Sequence, residues 1–219
     1  MRWPLFDDVP EAEVTRLLSI ARRRTFSRGE VVFHEQDPAD TLHLIVKGHY
    51  VVRVTTPLGD TAILAVLGPG EMFGELALLD GEDARRSATV AALEAGETRS
   101  IHRIDFEGLR TRHPETADIL IAILSHQVRR LSRHLVEALY VSADKRVLRR
   151  LVEVAGRYEP DADGATVVPF TQEDIAGLAG TSRATVNRVL REEEERGTVR
   201  LGRGRTTVLD ADALARRGR

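Results

Sequence analysis

The hydrophobic pattern of this chain changes period twice along its length, and this change constrains the fold more than any other feature. Between about residues 25 and 103, short β-branched and aliphatic runs are separated by turn signals rich in Gly, Pro and Asp. The runs lie at residues 31–33, 42–46, 50–54 and 63–67. Many short strands at near-regular spacing predict an antiparallel barrel or sandwich, with a helix before it at about residues 10–21.

A long helical segment follows, from about residue 114 to residue 141. Its apolar residues recur at steps of three or four: Ala117, Leu120, Leu124, Val128, Leu131, Leu135 and Ala138. This is an a/d seam sustained over about three heptads. The periodicity fits two structures equally, a helix lying on the core of its own domain and a two-stranded coiled coil across a dimer axis.

The remainder of the chain predicts a winged helix-turn-helix. Ser142 is a candidate N-cap for a helix that runs to about residue 157, and a turn-rich connector occupies residues 159–164. A short helix then begins at Thr171, a tight turn falls at Gly180, and a second helix is capped by Thr181 or Ser182. Residues 198–209 predict a β-hairpin with a basic, glycine-rich tip that contains Arg203.

The local charge of this last segment predicts DNA binding, although the whole chain carries a formal charge of only −2. Residues 183–205 contain seven arginines and four acids, and the acids form the single block 192–195, which we expect to face away from DNA. Side chains on the first turns of the second helix can reach base edges in the major groove: Arg183, Thr185 and Arg188. Polar residues at helix N-termini can hold phosphates: Thr171, Gln172, Thr181 and Ser182. The alternative is that these arginines form a solvated helix face.

A second constellation, at residues 68–90, predicts a site for a phosphate attached to a ribose. Gly74 lets the backbone approach a ligand, and residues 75–79, Leu76 among them, can form one helical turn whose free N–H groups point at an anion. Arg86 adds a bidentate charge, and Ser87 adds a hydroxyl. The carboxylate of Glu75, an acceptor when ionised, suits a sugar hydroxyl.

Together these segments make the chain resemble transcription regulators of the Crp–Fnr family over essentially its whole length. The resemblance implies an α+β protein with three parts: an N-terminal antiparallel β-roll of the cyclic-nucleotide-binding type (residues 1–112), a long dimerisation helix (113–141) and a C-terminal winged helix-turn-helix (142–219). It implies cyclic-nucleotide contacts at five residues: Gly74, Glu75, Arg86, Ser87 and Ala88. Glu75 would bind the ribose 2′-hydroxyl, Arg86 and Ser87 the cyclic phosphate, and Arg183 and Arg188 would read bases.

Three departures from the family pattern matter. The loop at residues 80–85 is about one residue longer than expected, so the phosphate arginine is either Arg85 or Arg86, with Arg86 preferred because it precedes Ser-Ala. Leu131 and Ser132 stand where cyclic-AMP-dependent members have a Thr-Ser pair that holds the adenine. Ser132 would reach the ligand from the partner subunit, whereas Leu131 cannot hydrogen-bond and extends the seam. Ala184 replaces a base-reading glutamate, so the operator half-site should differ or be less strictly recognised there.

The expected function is therefore a homodimeric regulator that binds a two-fold symmetric duplex operator and RNA polymerase and is controlled by a cyclic nucleotide, first of all cAMP. Two rivals are a regulator that binds DNA without cAMP, with an empty pocket or another effector, and a nucleotide-binding subunit that acts on a protein partner. The chain has no cysteine, so thiolate metal sites are excluded. We expect no metal, no catalytic site, no membrane partner, and a soluble cytoplasmic protein, because the sequence shows no signal peptide and no membrane-length apolar run.

Overall fold

The computed structural model describes residues 3–56, 59, 61–79 and 83–219. The chain divides into two compact units, Met1–Val54 with Val66–Arg130, and Thr55–Ala65 with Leu131–Arg219. Of the sequence-predicted features, Asp80, Gly81 and Glu82 in the long loop lie outside the described residues.

The first unit is built on antiparallel strands, as the sequence predicts, although only Val66 and Leu67 of strand β5 (Thr61–Leu67) belong to it. Helix α1 (Glu11–Ile20) precedes the strands and α2 (Arg103–Arg112) follows them. One sheet has the order β1-β8-β3-β6 and the other β2-β7-β4-β5. The strands are β1 (Arg22–Phe26), β2 (Val31–Phe33), β3 (Thr41–Lys47), β4 (Tyr50–Thr55), β5 (Thr61–Leu67), β6 (Met72–Phe73), β7 (Thr89–Ala92) and β8 (Gly96–His102).

Successive side chains of β3 point to opposite faces of the first sheet. One face packs against the helices, and the other lines the interior of the β-roll. Leu42 and Leu44 are fully buried in a cluster with Ile101 of β8 and Phe106 of α2. His43 points the other way and stacks on Phe73 of β6, with ring centroids 4.9 Å apart. The N-terminal residues Trp3 and Phe6 belong to the same cluster as Leu42 and Leu44.

The long helix α3 spans Glu115–Tyr140, and the elements after it form the second predicted motif. Helices α4 (Ala143–Ala155), α5 (Gln172–Ala179), α6 (Arg183–Glu195) and α7 (Ala211–Arg217) accompany a three-stranded antiparallel sheet of order β10-β11-β9. Its strands are β9 (Thr166–Val168), β10 (Val199–Gly202) and β11 (Arg205–Val208), and β10 and β11 are the wing. A core of buried apolar residues holds the helices together: Val147, Leu151, Ile175, Val186, Leu190 and Leu214.

Local signals placed the helix-turn-helix correctly. Thr171 caps α5 in a reciprocal box with Asp174, because the Thr171 hydroxyl accepts from the Asp174 N–H at 3.1 Å and the Thr171 N–H donates to the Asp174 carboxylate at 2.8 Å. Gly180 ends α5 with a φ of +59°, the left-handed conformation that favours glycine. Ser182, not Thr181, caps α6, since its hydroxyl accepts from the Thr185 N–H at 3.1 Å.

Several elements were not predicted, and one boundary was wrong. Strand β1 is exposed at four of its five positions and lies at a sheet edge, so its sequence needs little apolar character. The sequence analysis also missed six elements that show no clear apolar periodicity: the short β6, the mixed-polarity β8, the strongly charged α2, and β7, β9 and α7. Helix α4 ends at Ala155 rather than at about residue 157.

None of the helices in the described part of the chain combines the length and apolar character that crossing a bilayer requires.

Candidate functional site

The backbone at Gly74 comes unusually close to the side chain of Arg86. Gly74 lies between β6 and a 3₁₀ turn (Glu75–Leu78), with a φ of +86°. A Cβ at this position would lie 2.7 Å from Nη1 of Arg86 and 2.8 Å from the carbonyl oxygen of Thr41. Conformation and space therefore both require glycine here. The sequence prediction of a helical turn after Gly74 is confirmed.

Arg86 is buried and held in place by neighbouring polar and aromatic groups. Its guanidinium donates to the carbonyl oxygen and to the hydroxyl of Thr41, each at 2.7 Å, and lies 4.0 Å above the ring of Phe33. The residue is only 4% exposed, and within the described residues its Nε has no hydrogen-bond partner. Burial lowers the pKa of Arg86, and the charges of Asp40, Asp37 and Glu75 oppose that shift. Arg86 is thus a buried cation whose Nε–H has no partner among the described residues.

Glu75, the residue after Gly74, supplies a buried carboxylate whose charge acts on Arg86. The residue is 7% exposed, and its Oε1 accepts a hydrogen bond from Nε2 of Gln127 at 3.2 Å. Gln127 lies on α3, and the sequence had shown it only as a polar flank of the seam. No sequence signal connects two residues 52 positions apart, so this partner was missed.

The neighbouring positions of the predicted nucleotide site differ in their surroundings. Ser87 is exposed and Ala88 is buried, while Leu76 is exposed at the 3₁₀ turn. Arg85 is exposed and makes only a backbone bridge with Pro38 among its described neighbours. Of the two candidate phosphate arginines, the structure brings only Arg86 beside Gly74.

A buried histidine stands next to the same arginine. His43 Nδ1 lies 3.1 Å from the hydroxyl of Thr98. Burial, together with the charges of Arg86 and Arg24, lowers the pKa of His43 to about 3. The imidazole of His43 is therefore neutral in the folded protein at neutral pH.

The apolar seam of α3 divides into a buried part and an exposed part. Leu120 is 2% exposed and belongs to the core of the first unit. Further along, Val128, Leu131 and Leu135 are 62%, 43% and 61% exposed. Ser132, the other residue of the predicted adenine pair, is exposed as well. The helix thus packs on the core of its own unit at Leu120, the seam from Val128 onward is exposed in the single chain, and the coiled coil stays a prediction.

The helix-turn-helix and the wing enclose a groove of about 610 Å³. Its lining includes three of the predicted DNA contacts, Thr171, Gln172 and Arg183. The opposite wall is formed by the wing: Leu201, Gly202, Gly204, Arg205 and Thr206. Arg203, at the tip of the wing, is exposed and lies outside this lining. Asn187 also lines the groove, although the sequence analysis did not single it out.

Other predicted DNA contacts are engaged within the protein. Arg188 donates to Asp144 of α4 at 2.5 Å and to Glu192 at 2.8 Å, and these hydrogen bonds raise its pKa. Both ion pairs are solvent-exposed and so of the weak kind, which leaves Arg188 free to exchange them for phosphate or base. Thr185 shares the α6 cap with Ser182, their hydroxyl oxygens lying 3.0 Å apart.

One residue of the acidic block of α6, Glu193, is buried, whereas the other three are half-buried or exposed, and the expectation that the block faces away from DNA stays a prediction. Glu193 is 2% exposed and accepts hydrogen bonds from the Thr198 hydroxyl at 2.6 Å, from Arg217 Nε at 2.9 Å and from Arg196 Nη1 at 3.1 Å. Burial alone would raise the pKa of Glu193, but the hydrogen bonds from Arg217 and Thr198 and the charges of Arg217 and Arg196 hold it below its ordinary value. This carboxylate ties α7 and the wing to α6.

We expect Glu193→Gln to destabilise the protein by about 2 kcal/mol at pH 7, since charged hydrogen bonds to two partly exposed arginines are lost. Because the folded pKa of Glu193 is depressed, its contribution is fully present above the ordinary carboxyl pKa and is lost as the pH falls through the folded value. The free energies of unfolding of the wild type and the variant, measured with urea at a series of pH values, should therefore become more similar as the pH falls. Equal stabilities at pH 7 would contradict the assignment, and Glu195→Gln, at an exposed position of the same block, is the control.

Comparison with known proteins places these observations in a family. A model of the cyclic nucleotide-binding domain matches residues 23–113, and a model of the Crp-like helix-turn-helix domain matches residues 145–217. A CRP-like cAMP-activated global transcriptional regulator of Mycobacterium tuberculosis is 32% identical over 220 residues, which cover 98% of this chain and 96% of that protein. The cyclic AMP receptor protein of Thermus thermophilus is 35% identical over 211 residues, covering 96% and 94% of the two chains.

Solved structures agree. The crystal structure of the Thermus thermophilus catabolite activator protein is 34% identical, covers 98% of both chains and superposes with a TM-score of 0.56. The c-di-GMP-responsive regulator CLP of Xanthomonas campestris, at 22% identity and with 91% and 99% coverage, has a TM-score of 0.76 and shows the shared fold alone. In the described residues no group of three or more His, Asp or Glu side chains is placed to hold a metal ion. The chain belongs to the Crp–Fnr family of DNA-binding transcription regulators, which are not enzymes, and combines that family's cyclic nucleotide-binding domain with its helix-turn-helix.

Proposed function

We propose that this regulator is a homodimer whose affinity for DNA is set by a cyclic nucleotide, first of all cAMP, bound around Gly74, Glu75 and Arg86. The observation that carries the proposal is that a buried guanidinium packs against a glycine that leaves no room for a side chain, while the residue after that glycine is a buried glutamate. The relatives from Mycobacterium tuberculosis and Thermus thermophilus, described as cAMP-activated and as a cyclic AMP receptor, support the choice of nucleotide.

The chemistry of the pocket fits a ribose cyclic phosphate. An ionised Glu75 accepts hydrogen bonds and suits a sugar hydroxyl, whereas Arg86 donates and suits phosphate oxygens. The unused Nε of Arg86 is a donor available to an anion. Ser87 and the backbone at Ala88 follow directly in sequence and complete the proposed phosphate contacts.

The exposed apolar face of α3 supports the dimer. Val128, Leu131, Leu135 and Ala138 continue the heptad steps on a helix that leaves them exposed, and such a face is stable in water when a second copy covers it. A dimer would place two copies of α6 against successive major grooves, about 34 Å apart, of a two-fold symmetric operator. RNA polymerase is the proposed further partner, on the strength of the family alone.

Gln127 offers a route from the pocket to the dimer helix. Its bond to Glu75 joins the carboxylate that would take the ribose to α3. A ligand that changes this bond favours one arrangement of the paired helices over another, and it acts only through that difference in affinity.

A second candidate is a regulator that binds DNA without cAMP, and Leu131 favours it. Its side chain cannot hydrogen-bond to an adenine, and it strengthens the apolar seam regardless of ligand. Ser132, by contrast, still has a hydroxyl that could hydrogen-bond to an adenine, which is the one feature of this pair that favours cAMP.

Calorimetric titration of the full-length protein with cAMP and cGMP, followed by DNA-binding assays with and without nucleotide, separates the two candidates. Saturable binding of cAMP and a DNA affinity that rises with it support the first. Sequence-specific DNA binding that no nucleotide changes supports the second.

Loss of the Gln127 side-chain amide should weaken the coupling between nucleotide binding and DNA binding. We expect Gln127→Leu to bind nucleotide but to reduce about fivefold the ratio of DNA affinities with and without cAMP, since a hydrogen bond of this kind contributes about 1 kcal/mol. Fluorescence anisotropy of a labelled operator measures the ratio. Arg129→Leu, at an exposed position two residues away, is the matched control, and an unchanged ratio in the Gln127 variant would remove this residue from the coupling.

A further inference from the structure

Two side-chain amides meet in the groove between the reading helix and the wing. Nδ2 of Asn187, one turn after Arg183 on α6, donates to Oε1 of Gln172, the first residue of α5, at 3.1 Å. Both residues line the groove together with Arg183. The bond fixes the plane of the Asn187 amide relative to the helix that carries it.

The atoms that this bond leaves unused match one base edge. Asn187 keeps its Oδ1 acceptor and its second N–H donor. Adenine presents an N6 amino donor next to the N7 acceptor in the major groove, and asparagine binds this pair in a bidentate manner. Guanine, with two acceptors on the same edge, does not match an acceptor and a donor side by side.

The other residues at the start of α6 are less suited to this task. Ala184 has no polar side-chain atom, and Ser182 and Thr185 are engaged in the cap. Arg188, although its exposed ion pairs leave it free to bond DNA, lies outside the groove lining. Among the residues described from Ser182 to Arg188, Arg183 and Asn187 are the two that combine a place in the groove with atoms able to read a base.

We propose that Asn187, held in orientation by Gln172, reads an adenine in each operator half-site. The inference rests on the proposed function in one respect, that α6 enters the major groove. It adds a specificity-determining residue one helical turn after Arg183.

The test is selection of binding sites from randomised duplex DNA by the full-length protein at saturating cAMP, compared among variants. The wild type should enrich a half-site with a fixed adenine. Asn187→Ala should lose the preference at that one position and bind the wild-type site about 10- to 100-fold more weakly, the range expected for one bidentate base contact. Asn187→Asp, which can only accept, should move the preference from adenine to cytosine, whose N4 amino group donates.

Two further variants separate reading from structure. Gln172→Ala should broaden the preference at the same position and at no other, because it frees the Asn187 amide without removing it. Glu195→Ala, at the far end of α6 and exposed, should select the wild-type site. Thermal unfolding of each variant shows whether the fold is retained.

The outcomes are distinct. An equal loss of affinity for all sequences in Asn187→Ala would show that the amide pair only locks α5 to α6, and would overturn the proposal. The same half-site selected by wild type and both Asn187 variants would overturn it as well. If the wild type enriches no sequence, recognition of DNA by α6 fails, and the proposal fails with it.

Discussion

Leu135→Glu is expected to convert the protein to a monomer and to abolish tight operator binding. Leu135 is 61% exposed in the single chain and lies in the exposed part of the α3 seam, four residues after Leu131. In a two-stranded coiled coil it would be covered by the partner helix, and a carboxylate there would be desolvated without a counter-charge. We expect self-association to weaken at least about 100-fold, since each of the two copies would lose a buried leucine contact of about 2 kcal/mol or more.

Sedimentation velocity across a concentration series measures the effect. Arg133→Glu places the same carboxylate two residues earlier, at the outermost heptad position, and should leave the mass that of a dimer. A dimeric Leu135→Glu protein would show that this face is not the interface. A monomeric wild type at micromolar concentration would argue against a dimer formed through α3.

Arg86→Lys is expected to weaken cyclic-nucleotide binding about 10- to 100-fold, because a lysine keeps the charge but loses the paired donors that match phosphate, a difference of about 1.5–3 kcal/mol for a charged hydrogen bond. The residue is buried beside Gly74, and its Nη1 lies 2.7 Å from where a Cβ would stand. Calorimetric titration with cAMP gives the affinity directly.

Arg85→Lys is the matched control, since Arg85 is the neighbouring residue and is exposed. It should bind nucleotide as the wild type does. The reverse result, in which the Arg85 variant is weakened and the Arg86 variant is not, would assign the phosphate to Arg85. Thermal unfolding monitored in parallel separates a lost contact from a lost fold, because Arg86 also bonds Thr41.

What the sequence predicted well depends on local signals. The cap at Thr171, the left-handed turn at Gly180 and the hairpin of the wing each arise within a few residues, and each was found. The turn after Gly74 belongs to the same class. Such signals act through backbone conformation and short-range hydrogen bonds, which the order of residue types determines directly.

What the sequence did not predict are partnerships across long separations. Gln127 and Glu75 lie 52 residues apart, Arg188 and Asp144 lie 44 apart, and Arg217 and Glu193 lie 24 apart. Periodicity shows that a side chain is polar and which helix face carries it, but the choice of partner follows from the packing of whole elements. For the same reason the sequence did not show that Glu193 is buried, as its neighbours in the block are exposed or half-buried.

The two bonds from Arg86 to Thr41 have a consequence for how strongly an effector can be held. A phosphate arriving at this guanidinium either replaces contacts that the protein already makes internally or shares the cation with them. The net gain is then the difference between two sets of charged hydrogen bonds, which is smaller than either set alone. Internal competition of this kind would raise the dissociation constant of the proposed nucleotide, and removal of the Thr41 hydroxyl would lower it while leaving every proposed ligand-contacting side chain in place.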